Sequence, residues 1–263
     1  MEYRNILHKK EGRVVTIVLN RPRTLNALSS EMIEELLDAA RQTGEDGEAK
    51  VLILTGAGRA FCFGADISLF RRTGGMPQPD IVHALLAKSQ EMIRCLSGMP
   101  KPTIAALNGF ATGLGLDIAM ACDLRIAAEG AKLGESFISM GLVPDGGGTY
   151  FLPRLVGMAR AAEMIFTGEP IAAKEAERMG LINLVVPGQD LEKTARRWAD
   201  KFTSKSSLAL ALAKKAIWES LSGDLNSALK MEAECQKMCL QSPEHNEAVE
   251  AFLARHSPLS RSG

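Results

Sequence analysis

Three carboxylates fall in or beside glycine-rich turns: Asp117 in Gly115-Leu116-Asp117-Ile118, Glu135 after Gly134, and Asp145 in Pro144-Asp145-Gly146-Gly147-Gly148. A carboxylate can move a proton to or from a bound molecule, provided a neighbour stabilises the charge that develops. The same residue type also caps helices and closes solvated turns, and residue type alone favours that ordinary role. Glycine adds a second element. Phe63-Gly64-Ala65-Asp66-Ile67 and Gly113-Leu114-Gly115 each stand before a predicted helix start. Glycine lets backbone N–H groups turn inward, so two such loops can aim two main-chain donors at one carbonyl oxygen, as in an oxyanion hole. From spacing alone, turns without chemistry are equally admissible.

Other chemistries are disfavoured. Thr55-Gly56-Ala57-Gly58-Arg59-Ala60-Phe61 begins like a dinucleotide fingerprint, but Phe61 stands at the third glycine and no helix pattern opens directly. Gly113-Leu114-Gly115 fails the same test at Ile118, and there is no GxxxxGK[ST]. Without a GxSxG, and with His8, His83, His245 and His256 in no motif, a Ser–His–Asp hydrolase or a His-rich zinc site is disfavoured. Cys62, Cys95, Cys122, Cys235 and Cys239 show no CxxC spacing and read as reduced core thiols of a cytosolic-type compartment. Cys235 and Cys239 are one helical turn apart, which suits helical packing better than a metal.

The elements that must hold these residues follow from hydrophobic pattern. Ile6-Leu7-His8 and Arg13–Leu19 read as a hairpin turned at Glu11-Gly12, and a helix is predicted from about Ser30 to Gln42 behind a serine cap. Strands are predicted at 50–55, 103–107 and 123–127, with a helix from about Ile81 to Leu96. Strands alternating with helices up to about Val186 indicate an α/β class. Beyond Leu191 only amphipathic helices follow, broken at 204–206, Gly223 and Pro243. This gives an α/β region of residues 1–195 and a helical region of residues 196–263. Its Met- and Leu-rich helices suit packing on the body, a subunit interface, or both.

Charge and composition narrow the partners. The 263 residues carry 31 Lys+Arg against 31 Asp+Glu, so no general basic field attracts nucleic acid or an anionic membrane. No run approaches the roughly 20 apolar residues of a membrane span, and the N-terminus lacks the apolar run of a secretory signal. The expected location is the cytoplasm.

At these residues the sequence resembles the crotonase superfamily, the enoyl-CoA hydratase/isomerase family. The segments that carry the likeness occur in the family's order: Leu19-Asn20-Arg21-Pro22 through Leu28, Ala60–Ile67, Lys101–Gly109 leading to Gly113-Leu114-Gly115, Ala121-Cys122-Asp123, and Gly141–Thr149 followed by Leu152–Gly157. The resemblance implies a crotonase-like (ClpP/crotonase) spiral of ββα units, with the helical C-terminal region used in a homotrimer or dimer of trimers. It implies an acyl-CoA thioester as substrate, with coenzyme A present only as part of that substrate and no metal or other cofactor. The oxyanion donors map onto the backbone N–H groups of Ala65 and Leu114, where the family usually has Gly at the second place. The substrate and coenzyme A contacts map onto Arg23, Ala65, Asp66, Ile67 and Phe137, with Arg71 or Arg72 as further candidates for the 3′-phosphate.

The acid/base positions depart from the hydratase pattern. Hydratases of the family use two glutamates; the first maps onto Asp117 and the second onto Phe137, which carries no proton. Glu135, two positions from Phe137, is expected to point elsewhere. Aspartate at the place of Asp145 is similar to family members that isomerise enoyl-CoA double bonds, including those of phenylacetate degradation. Dienoyl-CoA isomerases resemble this chain in having aspartates at both Asp117 and Asp145. The expectation is an enoyl-CoA isomerase with Asp145 as acid/base. The alternatives are an enoyl-CoA hydratase using Asp117, or a non-catalytic acyl-CoA-binding subunit.

Overall fold

The computed structural model describes residues 3–66 and 79–256. β1 (Ile6–Glu11) and β2 (Val14–Leu19) form an antiparallel hairpin, with Ile6 opposite Leu19 and Glu11 opposite Val14. Gly12 makes the turn at a φ of +60°, a conformation that costs glycine nothing. Helix α1 (Ser30–Glu45) begins where the Ser29 hydroxyl accepts a hydrogen bond from the Met32 N–H at 3.2 Å. Its stripe of Met32, Ile33, Leu36, Leu37 and Ala40 is buried, and the helix lies against the hairpin.

Three strand–strand–helix units follow. The first comprises β3 (Val51–Gly56), β4 (Ala60–Cys62) and α2 (Pro79–Ser97). The second comprises β5 (Thr103–Leu107), β6 (Phe110–Thr112) and α3 (Leu114–Ala121). The third comprises β7 (Leu124–Ala128) and β8 (Lys132–Gly134), followed by a 3-10 turn over Ser136–Met140 and then α4 (Gly148–Val156) and α5 (Met158–Thr167). β9 (Ile171–Ala172), α6 (Ala173–Arg178), β10 (Leu184–Val186) and α7 (Leu191–Thr203) complete this part.

The first strand of each unit joins a six-stranded sheet and the second joins a four-stranded one. The strand orders are β1-β2-β3-β5-β7-β10 and β4-β6-β8-β9. From β2 to β10 the large sheet is parallel; the return from β2 to β3 passes through α1, and each later return passes through the smaller sheet and a helix. The chain thus winds as a spiral of ββα units. At the corners successive turns nearly touch: a Cβ on Gly109 would stand 2.0 Å from the Arg59 carbonyl oxygen. Asn108 binds the same corner, donating to the carbonyls of Gly58 at 2.9 Å and Ala60 at 3.1 Å.

One face of the large sheet carries Val14, Val51, Ile53, Ile104, Ala106, Ile126 and Ala128. Leu191, Ala195 and Ala199 of α7 cover it, with Trp198 and Phe202 alongside. Helix α3 is buried on every side, as suits a sequence that is apolar all round except at Asp117. By compactness the chain divides into Met1–Phe202 and Thr203–Gly263. The second unit consists of α8 (Ser207–Ser220), α9 (Leu225–Leu240) and α10 (Pro243–His256), with Ser206 and Asp224 capping the first two. Among the described residues, no helix is long and apolar enough to cross a membrane.

Candidate active site

The second glycine loop is fixed from three sides. Gly113, at a φ of +52°, caps α3 and donates its N–H to the Gly134 carbonyl at 2.9 Å, which ties the helix start to the end of β8. The Thr112 hydroxyl donates to the Phe63 carbonyl at 3.0 Å, joining this loop to the first one. A Cβ on Gly64 would lie 3.0 Å from the Thr112 carbonyl oxygen and 3.8 Å from the Leu114 nitrogen. The two glycine loops are therefore neighbours.

Ala65 sits in an isolated parallel bridge with Leu28. The Leu28 N–H donates to Gly64 at 2.8 Å, and the Asp66 N–H donates to Leu28 at 2.9 Å. Successive residues of extended chain present their N–H groups to opposite sides, so the Ala65 N–H faces away from Leu28. Among the described residues, neither the Ala65 nor the Leu114 N–H donates to another backbone group. Two free donors on adjacent loops can receive one developing oxyanion.

The carboxylates gather against the start of α3. Asp117 has no exposed surface, and its Oδ2 accepts from the Gly146 N–H at 3.1 Å. Gly146 packs so closely that a Cβ there would meet Leu114 Cδ1 at 2.5 Å and Asp117 Oδ2 at 2.6 Å. The loop bearing Asp145 thus rests on the turn that presents the Leu114 N–H, and the Leu114 side chain supports it. Asp145 is half-buried, and its carbonyl accepts from the Gln90 side chain of α2 at 3.4 Å. Phe137 lies at the same wall: a Cβ on Gly113 would stand 3.6 Å from its ring.

Glu135 does not point elsewhere. It is fully buried at the end of β8, and a Cβ on Gly148 would stand 2.7 Å from Asp117 Oδ1 and 3.0 Å from Glu135 Oε1. Glu135 follows β8 directly and caps the 3-10 turn that carries Phe137, so the two side chains reach the site from different local backbones.

Burial, followed by the nearby Asp145 charge, pushes Asp117 up to about 8, against the pull of the Gly146 N–H. Glu135 is raised well above the ordinary carboxylate range by burial and then by the charge of Asp117. Asp145 is raised by burial. With more of its surface in contact with solvent than the other two, it is the carboxylate best suited to carry the charge.

The remaining sequence candidates are more dispersed. Arg23 is exposed on a 3-10 turn over Pro22–Thr24. The Asp66 carboxylate pairs with Arg21 at 3.0 Å, which fastens the first glycine loop to the chain after β2. Asn26, with left-handed backbone and no exposed surface, does the same by donating to the carbonyls of Ala57 at 2.9 Å and Ala60 at 2.8 Å. Ile67, Arg71 and Arg72 lie outside the described residues.

Comparison with known proteins agrees with this geometry. Residues 9–260 match the family described as enoyl-CoA hydratase/isomerase. The crotonyl-CoA hydratase of Syntrophomonas wolfei is 37% identical over 256 residues, covering 97% of each chain. The 1,2-epoxyphenylacetyl-CoA isomerase of Escherichia coli is 37% identical over 253 residues, covering 96% of this chain and 97% of its own. The crystal structure of an enoyl-CoA hydratase from Bacillus anthracis superposes with a TM-score of 0.91 at 38% identity, covering 97% and 98% of the two chains. The ββα spiral is the crotonase fold, and the chain belongs to the enoyl-CoA hydratase/isomerase family of the crotonase superfamily.

Proposed function

We propose that the protein isomerises the double bond of an enoyl-CoA thioester, with Asp145 as the acid/base group. The observation that carries this reading is the wall of the site. Phe137 falls at the second glutamate place of the hydratases, while the loop that carries Asp145 packs through Gly146 against Leu114, and burial raises the proton affinity of Asp145. The thioester oxygen sits between the Ala65 and Leu114 N–H groups. Asp145 takes a proton from the carbon next to the thioester and returns it two carbons away, so the double bond moves by one position. The two N–H groups hold the dienolate throughout, and no water enters the balance. Arg23, Ala65, Asp66, Ile67 and Phe137 line the acyl-CoA, and the second unit assembles the chains as a homotrimer or a dimer of trimers.

Assays with matched 3-enoyl and 2-enoyl thioesters separate isomerisation from hydration. Asp145→Asn is expected to cut isomerisation by about 10²–10⁴-fold, the usual worth of a positioned acid/base; unchanged turnover would sink the role. The second reading is hydration through Asp117, favoured by relatives named hydratases at 37% and 39% identity. It requires water addition that disappears in Asp117→Asn. Tight coenzyme A binding with no turnover across a broad thioester panel would point instead to an acyl-CoA-binding subunit.

A further inference from the structure

Glu135 has no task in the proton transfer just described, yet it is fully buried and neither of its oxygens has a hydrogen-bond partner among the described residues. Asp117 Oδ1 is equally bare, although Oδ2 is held by Gly146. A buried carboxylate without a partner is costly to ionise, and a second anion beside it adds to the cost. The charged groups that act on the pair are its own two members, on α3 and at the end of β8, and Asp145 on the loop before α4. All three are acids. Among the described residues, no three acidic, His or Cys side chains are disposed to hold a metal ion. The counter-charge that fits is a proton. The bare Asp117 Oδ1 and Glu135 Oε1 both border the space beside Gly148, so with a proton on each carboxyl one of the two can lie between them.

We propose that Asp117 and Glu135 form a buried carboxyl pair in which both groups are protonated and one of the protons is held between Asp117 Oδ1 and the Glu135 carboxyl, which makes Glu135 a positioning residue that keeps the wall behind Asp145 uncharged. The inference rests on Asp145 being the base. With the pair neutral, the site carries the single negative charge of Asp145, and the Leu114 donor meets the forming enolate with no anion beneath it. Loss of the shared proton would place a negative charge under that donor and beside the base. Both effects oppose enolate formation.

The test uses the full-length protein and its Glu135→Gln variant, which keeps the side-chain shape. Infrared difference spectra are recorded while the pH is raised from about 6 to about 10, across the loss of the pair's first proton. Wild type is expected to show a protonated-carboxyl carbonyl band at neutral pH that fades as pH rises. In Glu135→Gln the amide donates to Asp117 Oδ1 and favours its ionised form, so that band is weakened at neutral pH. The alkaline limb of kcat moves at least one unit lower, a tenfold change in proton affinity, with KM little altered. Absence of the band in wild type at neutral pH overturns the proposal. So does a Glu135→Gln enzyme with unchanged band and unchanged limb. If the bands behave as expected but no enoyl thioester is isomerised, the pair stands and the reading of the reaction falls.

Discussion

A buried carboxyl group is most compatible with the folded chain while it holds its proton, and this gives Asp117 a distinct pH signature. In the unfolded chain an aspartate ionises near pH 4; in the fold, burial pushes Asp117 up to about 8. Between those values the unfolded state binds fewer protons than the native one, so stability falls as pH rises through that window. The contribution is fully present below about pH 4 and is lost above about pH 8. Urea denaturation of wild type is therefore expected to show a loss of a few kcal/mol between about pH 5 and pH 8, at up to about 1.4 kcal/mol per unit. Asp117→Asn removes the ionisation and should flatten that slope. Parallel curves for the two proteins would contradict the assignment. Glu135 was legible as a carboxylate beside a glycine, but its direction was not, because the 3-10 turn that opens at Ser136 breaks the alternation of β8.

At the scale of elements, the site depends on close contact between the loop at Pro144–Gly148 and the first turn of α3. Gly146 permits that contact through its missing side chain. A Cβ there would collide with Leu114 Cδ1 and with the Asp117 carboxyl. Gly146→Ala is expected to lift the loop and stretch the Gly146–Asp117 hydrogen bond, costing about 1–3 kcal/mol as overpacking does. Because Asp145 rides on the same loop, turnover should fall more than tenfold even where the variant remains folded. Thermal melts paired with initial rates check both parts, and wild-type turnover would show that the contact is dispensable. The longer elements were legible in the sequence: the hairpin, α1, the strands at Val51, Thr103 and Leu124, and the C-terminal helices. β4, β6 and β8, with three residues each, were not. Three residues are too short to establish a period of two, and their pairing partners are distant in sequence. Those strands form the sheet from which both glycine loops and Glu135 emerge, so the candidate site was visible as a set of residues but not as an arrangement.

At the scale of the whole molecule, apolar side chains remain uncovered on the second unit. Leu225 is 73% exposed, Leu229 52% and Leu240 52%, values unusual for leucines along one helix and its start. Clusters of this kind mark contact with another chain. On the proposed assembly as a trimer or hexamer, Leu229→Glu is expected to lower the molar mass measured by light scattering to that of a single chain. It should also make the melting temperature independent of protein concentration. A wild-type protein that is monomeric at micromolar concentration would remove the basis of the assembly.

The covering of the large sheet by α7 has a consequence for how the chain is made. The strands from Val14 to Ala128 lie far upstream of the helix that shields one of their faces, which is complete only at Thr203. On a ribosome adding about 5–20 residues per second, that apolar face stays open for several seconds after its last central strand has been synthesised. During this interval the nascent chain is at its most adhesive. A chain halted just before Leu191 should therefore collect in aggregates, whereas one released after Phe202 has its sheet protected.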